Sequence, residues 1–151
     1  MIVNAGCEIY IIDDDPSICR GLKRLMNAGG YTAHTFTSAH TFLATGLPCD
    51  NSCIILDVAM PDMGGLELQA ELANLGCTTP IIFITALPDP TLRSRAKLAG
   101  AAGFFQKPVD GVALLDAIKW IVTGWARNAS ENASGQRDVI RRGRCDGKSV
   151  D

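Results

Sequence analysis

The chain has 151 residues, of which 47% are hydrophobic and 20% charged, and its formal net charge is −2. That length and apolar content suit one domain with its own core, and the slight acidity argues against a general nucleic-acid binder. No run approaches the roughly 18 apolar residues of a membrane span, and no basic region precedes a long apolar stretch at the start, so a cytoplasmic protein without signal peptide or membrane segment is expected.

The charge is unevenly placed: residues 1–125 hold 8 Lys/Arg against 12 Asp/Glu, and residues 126–151 hold 6 against 4. Between Arg24 and Arg93 there is no Lys or Arg, so acids in that stretch must draw a cation from later in the chain. The six cysteines show no CxxC pair and several lie within apolar runs, where Cys behaves as a small buried hydrophobe rather than a zinc ligand.

Taken in order, Glu8–Ile12 reads as a first strand, closed by Asp13 and Asp14. Asp15-Pro16 supplies an N-cap and a proline at the first helical position, Ile18, Leu22, Leu25 and Met26 follow at helical spacing, and Gly29-Gly30 stops the helix. Residues 31–36 alternate as a second, edge strand, and Ser38 caps a short helix to about residue 47 with Phe42 and Leu43 inward. The run Cys53-Ile54-Ile55-Leu56 ending in Asp57 is a buried third strand, and residues 65–75 form a helix carrying Leu66, Leu68, Leu72 and Leu75. Pro80 opens a fourth strand, Ile81–Thr85, before a helix over Pro90–Leu98 that Gly100 ends. Gly103–Gln106 is a short fifth strand followed by Lys107-Pro108, and a last helix over 110–125 places Leu114, Ile118, Ile121, Val122 and Trp125 on one face.

Five strands alternating with five helices predict an α/β fold, a parallel sheet covered on both faces, with functional residues at the carboxyl ends of its strands. Residues 1–125 form this domain. Residues 126–151 turn polar and lose apolar periodicity, which predicts a disordered tail, Val139-Ile140 and its neighbouring arginines included. Those 26 residues are too few for a packed DNA-binding module, so direct DNA binding is not expected, and the chain reads as a single-domain protein or a fragment of a longer regulator.

The polar candidates all fall at strand ends: Asp13 and Asp14 after the first strand, Asp57 after the third, Thr85 after the fourth, Lys107 after the fifth. Any one alone is a common helix cap or surface charge; on separate strands of one sheet they form a constellation. Three carboxylates about 5 Å apart repel by roughly 3 kcal/mol per pair at an effective dielectric near 20, so a divalent cation is expected among them. Asp57 then serves as nucleophile toward phosphorus. Mg²⁺ suits the task because it binds through a few carboxylates and keeps water and phosphate oxygens as ligands. In this reading Asp14 and Asp57 bind the ion directly, Asp13 directly or through water, and the Ala59 backbone carbonyl adds an oxygen. Lys107 pairs first with Asp57 and later with a phosphoryl oxygen, and Thr85 donates its hydroxyl to another.

The stretches Ile11-Ile12-Asp13-Asp14-Asp15-Pro16, Ile54-Ile55-Leu56-Asp57-Val58-Ala59-Met60-Pro61-Asp62-Met63-Gly64-Gly65-Leu66-Glu67-Leu68, Ile82-Phe83-Ile84-Thr85-Ala86 and Phe104-Phe105-Gln106-Lys107-Pro108 together resemble the receiver domain of two-component response regulators, FixJ-type receivers above all. The resemblance spans residues 8 to about 123. It implies a flavodoxin-like (CheY-like) doubly wound sheet in strand order 2-1-3-4-5, and phosphorylation of Asp57 by a sensor histidine kinase, a phosphotransfer protein or a small acyl phosphate. It further implies Thr85 as the switch hydroxyl, Phe104 as the aromatic that turns on activation, a cis Lys107-Pro108 bond, and an output surface on the fourth helix, fifth strand and fifth helix. There a phosphorylation-dependent homodimer, with Arg93 and Lys97 facing Asp110 and Asp116, or a downstream protein would dock. The protein is then a phosphoacceptor switch that assists its own phosphorylation and dephosphorylation, not an enzyme in the ordinary sense.

Leu87, two residues past Thr85, and Ala59, two past Asp57, cannot orient a hydrolytic water by hydrogen bonding, so slow self-dephosphorylation is expected. Ala59 also stands where an aspartate phosphohydrolase, the main alternative, would carry its second acid. A flavin-binding domain of like topology would need small phosphate-cradling donors where this chain has three acids. His34 and His40 lie away from the strand ends and read as surface or packing residues.

Overall fold

The structure is a computed structural model and describes residues 7–48, 50–86 and 89–135, with side chains through residue 124. Expectations resting on Cys49, Leu87, Pro88, Cys145 and the segment 136–151 lie outside the described residues. Five strands, β1 (Glu8–Ile12), β2 (Thr32–Phe36), β3 (Ser52–Asp57), β4 (Ile81–Thr85) and β5 (Gly103–Gln106), form one sheet. All its pairs are parallel and its order is β2-β1-β3-β4-β5, which makes β2 and β5 the edges. Between them run α1 (Pro16–Ala28), α2 (Ala39–Ala44), α3 (Gly65–Asn74) and α4 (Pro90–Leu98), and α5 (Gly111–Gly135) closes the fold.

The helix starts follow local chemistry. Asp15 Oδ1 accepts from the Ser17 N–H at 2.9 Å with Pro16 at the first helical position, and Asp89 with Pro90 repeats the device at α4. Ser38 Oγ caps α2 through the Thr41 N–H, and Asp110 Oδ1 caps α5 through the Val112 and Ala113 N–H groups. The two faces of the sheet carry separate cores. Ile9, Ile11, Cys53, Ile55, Ile82 and Ile84 pack against α1 and α5, while Ile12, Ile54, Leu56 and Phe83 pack against α2, α3 and α4. Every residue of β3 is buried, as a central strand covered on both sides requires. Each fully buried Ile or Leu contributes roughly 1.5–3 kcal/mol of transfer free energy, so this strand is the most costly to displace.

The structure departs from the sequence reading at some margins. The second helix stops at Ala44 rather than near residue 47, and the third ends at Asn74, with Leu75 as its C-cap and 47% exposed. The last helix does not end at Trp125 but runs to Gly135, ten residues into the segment expected to be disordered. From 125 to 134 there is neither Gly nor Pro, so nothing local stops a helix already nucleated on the core. Cys7, Cys19 and Cys53 are buried free thiols, as expected, and Cys77 is partly buried. His34 pairs with Glu8 and stacks on Tyr10 at the β2 edge, remote from the strand ends that carry the acids. Among the described residues no helix is long and apolar enough to cross a membrane.

Candidate functional site

The parallel register delivers the acids to one edge. Ile12 is level with Leu56, so Asp13 stands level with Asp57, and Asp57 is level with Ile84, one residue before Thr85. Asp13, Asp14 and Asp57 each offer a carboxylate oxygen within 4.8 Å of the others. Asp13 is fully buried, Asp57 is 4% exposed, and Asp14 is exposed. Thr85 is buried at the end of β4, and Lys107 follows β5 with a cis bond to Pro108. Lys107 is thus the cation from the far half of the chain that the acids were expected to need.

It pairs with Asp57, as expected, and more closely with Asp13. Lys107 Nζ lies 2.8 Å from Asp13 Oδ2 and 3.5 Å from Asp57 Oδ1, so its principal partner is Asp13. Asp13 is the more deeply buried of the two, and leaving it without a counter-ion would cost more. Burial alone would lower the Lys107 ammonium, but the Asp13 carboxylate and the charge on Asp57 outweigh it and hold its pKa above the ordinary lysine value. Asp57 is pushed up to about 6, first by burial and then by the charge of Asp13; Lys107 and the Ala59 N–H, which hydrogen-bonds the carboxylate, oppose that rise.

The donor set fits a hard divalent cation. Asp13 Oδ1 accepts from the Asp15 N–H at 2.9 Å, while its Oδ2 is sealed from solvent and meets the Lys107 ammonium at 2.8 Å. Three carboxylates within reach of one another, two of them buried against one ammonium, are the oxygen-donor set that Mg²⁺ or a similar ion would complete.

The loop beyond Asp57 is shaped by close approach. A Cβ on Gly65 would lie 2.5 Å from the Asp57 carbonyl oxygen and 2.9 Å from Val58 Cα, so no other residue fits without movement. Asp62 turns the loop at φ 67°, and Glu67 Oε1 accepts from the Gly64 N–H at 2.8 Å to start α3. On the other side Phe104 is partly buried in β5, 6.2 Å between ring centroids from Phe83, with the Arg93 guanidinium 5.7 Å over its ring. The sequence offers Arg93 as a charge on the output surface, facing a second copy, and not as a cation over Phe104. Cys19 had registered only as core; its Sγ lies 3.2 Å from the Asp13 carbonyl oxygen, and burial raises its thiol pKa so that it stays an S–H donor. No sequence signal marks either contact, because each depends on how one element packs against its neighbour and not on a spacing along the chain.

Comparison with known proteins agrees with this geometry. The response regulator receiver domain family matches residues 9–119. The transcriptional regulatory protein FixJ of Azorhizobium caulinodans is 38% identical over 111 residues, covering 74% of this chain and 53% of the relative. The response regulator protein TmoT of Ectopseudomonas mendocina is 42% identical over 111 residues, covering 74% and 50%. The chain spans about half the length of these relatives. The solved structure of the response regulator StyR superposes with a TM-score of 0.79 at 37% identity, covering 87% of this chain and 66% of that one. A five-stranded parallel sheet in this order, three acids at one edge and a family match over residues 9–119 have one joint meaning: the chain belongs to the response regulator receiver domain family of two-component systems.

Proposed function

We propose that this chain is a phosphoacceptor switch acting in the cytoplasm, in which Asp57 receives a phosphoryl group from a sensor histidine kinase, a phosphotransfer protein or a small acyl phosphate. The observation that carries the reading is the convergence of Asp13, Asp14, Asp57 and Lys107 on one sheet edge, with two buried carboxylates drawn to one ammonium. Asp13, Asp14, Asp57 and the Ala59 carbonyl would hold Mg²⁺, which supplies charge to the transferring oxygens when bound. Asp57 Oδ attacks phosphorus as the donor's bond breaks, leaving an aspartyl-phosphate. Lys107, within ion-pair reach of both Asp13 and Asp57, meets one phosphoryl oxygen with its ammonium, and Thr85 donates its hydroxyl to another.

The modification adds roughly −1.5 to −2 charge and three strong acceptors. Moving a two-state equilibrium from 1:99 to 99:1 takes about 5.5 kcal/mol, which new bonds to a charged group at roughly 1.5–3 kcal/mol each can supply. Thr85 moving toward the phosphoryl group makes room for Phe104 to turn, which alters α4, β5 and α5. A second phosphorylated copy or a downstream protein reads that surface. We place DNA binding outside residues 7–135, and we read the chain as either a free-standing receiver or the receiver part of a longer regulator. Slow self-dephosphorylation follows from Ala59, which offers no group to orient water.

Incubation with acetyl phosphate and Mg²⁺ should give a hydroxylamine-labile adduct on a peptide containing Asp57. Labelling that persists unchanged in Asp57→Ala would overturn the assignment.

A further inference from the structure

We propose that Cys19 is a positioning residue of the acidic pocket: its thiol, by holding the Asp13 main-chain carbonyl, sets the turn from β1 to α1 so that Asp13 and Asp14 present their carboxylates to a divalent cation. The inference rests on the cation-binding reading above.

Cys19 is 4% exposed on the first turns of α1, and its Sγ lies 3.2 Å from the Asp13 carbonyl oxygen and 3.7 Å from that of Phe36. The sheet ladder has ended at this point. The Asp13 N–H still reaches the Phe36 carbonyl at 3.0 Å, but among the described residues no main-chain N–H is directed at the Asp13 carbonyl, and the thiol is the donor that meets it. The Cys19 N–H donates to the Asp15 carbonyl at 3.1 Å. One residue therefore grips both ends of the three-acid turn.

Inside that turn the Asp15 N–H holds Asp13 Oδ1, which leaves the enclosed Oδ2 to the Lys107 ammonium and sets the Asp13 carboxylate beside those of Asp14 and Asp57. A buried carbonyl deprived of its donor rotates to find another. Rotating the peptide after Asp13 carries the Asp14 main chain with it, so both carboxylates move. Mg²⁺ demands near-ideal octahedral geometry, and small displacements of its ligands are read as lost affinity. Outer partners of metal ligands are commonly worth about 10–100-fold in affinity; a thiol is a weak donor, so about 3–10-fold is expected here.

The test is a calorimetric titration of metal-free protein with MgCl₂, on wild type, Cys19→Val and Cys19→Ser, with thermal unfolding in EDTA alongside. Valine keeps an apolar side chain of similar size and removes the donor, whereas serine keeps a donor. The expected result is a Kd for Mg²⁺ raised about 3–10-fold in Cys19→Val and held within about 2-fold of wild type in Cys19→Ser. Cys19→Val binding Mg²⁺ as wild type does, whatever its melting temperature, overturns the proposal, as does an equal loss in both variants. Should Cys19→Val not fold, Cys19→Ala is titrated under the same criterion. Wild type that takes up no Mg²⁺ overturns the cation-binding reading and this inference together, whereas wild-type uptake with an unchanged Cys19→Val overturns this inference alone.

Discussion

Replacing Asp57 by asparagine should make the metal-free protein more stable at neutral pH. The Asp57 carboxyl is pushed from an ordinary value of 3.8 to about 6 in the folded chain, chiefly by burial and by Asp13. That rise corresponds to about 3 kcal/mol of penalty on the ionised form. Geometry gives a similar size: carboxylate oxygens within 4.8 Å of each other repel by about 3.5 kcal/mol or more per pair at an effective dielectric near 20, which Lys107, 3.5 Å from Asp57, offsets only in part. Between pH 3.8 and about 6 the folded chain holds a proton on this group that the unfolded chain has lost. Stability of the wild type therefore rises as pH falls through that window, and above it the full penalty applies. Asparagine carries no charge and escapes the penalty. In EDTA at pH 7.5, urea denaturation followed by circular dichroism should show Asp57→Asn ahead by up to about 3 kcal/mol, or roughly 6–12 °C in Tm. The gap should shrink as pH falls toward 4, and Mg²⁺ should close part of it by stabilising the wild type. A variant no more stable than wild type in EDTA at pH 7.5, or a gap indifferent to pH, would refute the account of the acidic edge.

Three further outcomes are expected. Lys107→Met leaves the fully buried Asp13 carboxylate without its 2.8 Å counter-ion, so the metal-free protein should lose about 3–5 kcal/mol in urea titrations, and Mg²⁺ should restore much of it. Gly65→Ala forces a methyl against the Asp57 carbonyl and Val58, which should cost about 1–3 kcal/mol and slow labelling by acetyl phosphate; a variant as stable and as reactive as wild type would show that the loop yields freely. Arg93→Ala removes the cation over the Phe104 ring, worth about 0.5–1 kcal/mol at an exposed site, so the unphosphorylated protein should shift toward the turned ring by about 2- to 5-fold, read from Phe104 ring resonances with and without beryllofluoride.

Much of the fold was legible because its signals are local. Asp15-Pro16 and Asp89-Pro90 cap their helices with their own side chains, and a fully buried strand needs only an apolar run ending in Asp57. The acids, Thr85 and Lys107 were legible as a set because each directly follows or ends a strand, and a parallel sheet brings those ends to one edge. The end of α5 was misjudged because a polar composition resembles a disordered tail, although nothing in residues 125–134 breaks a helix.

What one sequence determined by itself is therefore periodicity, caps, breakers and the order in which chemical groups arrive at strand ends, since these depend on neighbours a few residues away. Only the tertiary structure decided that Lys107 rests on Asp13 before Asp57, that Arg93 lies over Phe104, that a thiol on α1 holds the Asp13 carbonyl, and that burial raises Asp57. Those are distances and dielectric surroundings set by side chains that lie on different elements, from six to 94 residues apart. They are fixed when the helices pack onto the sheet, and no spacing along the chain encodes them.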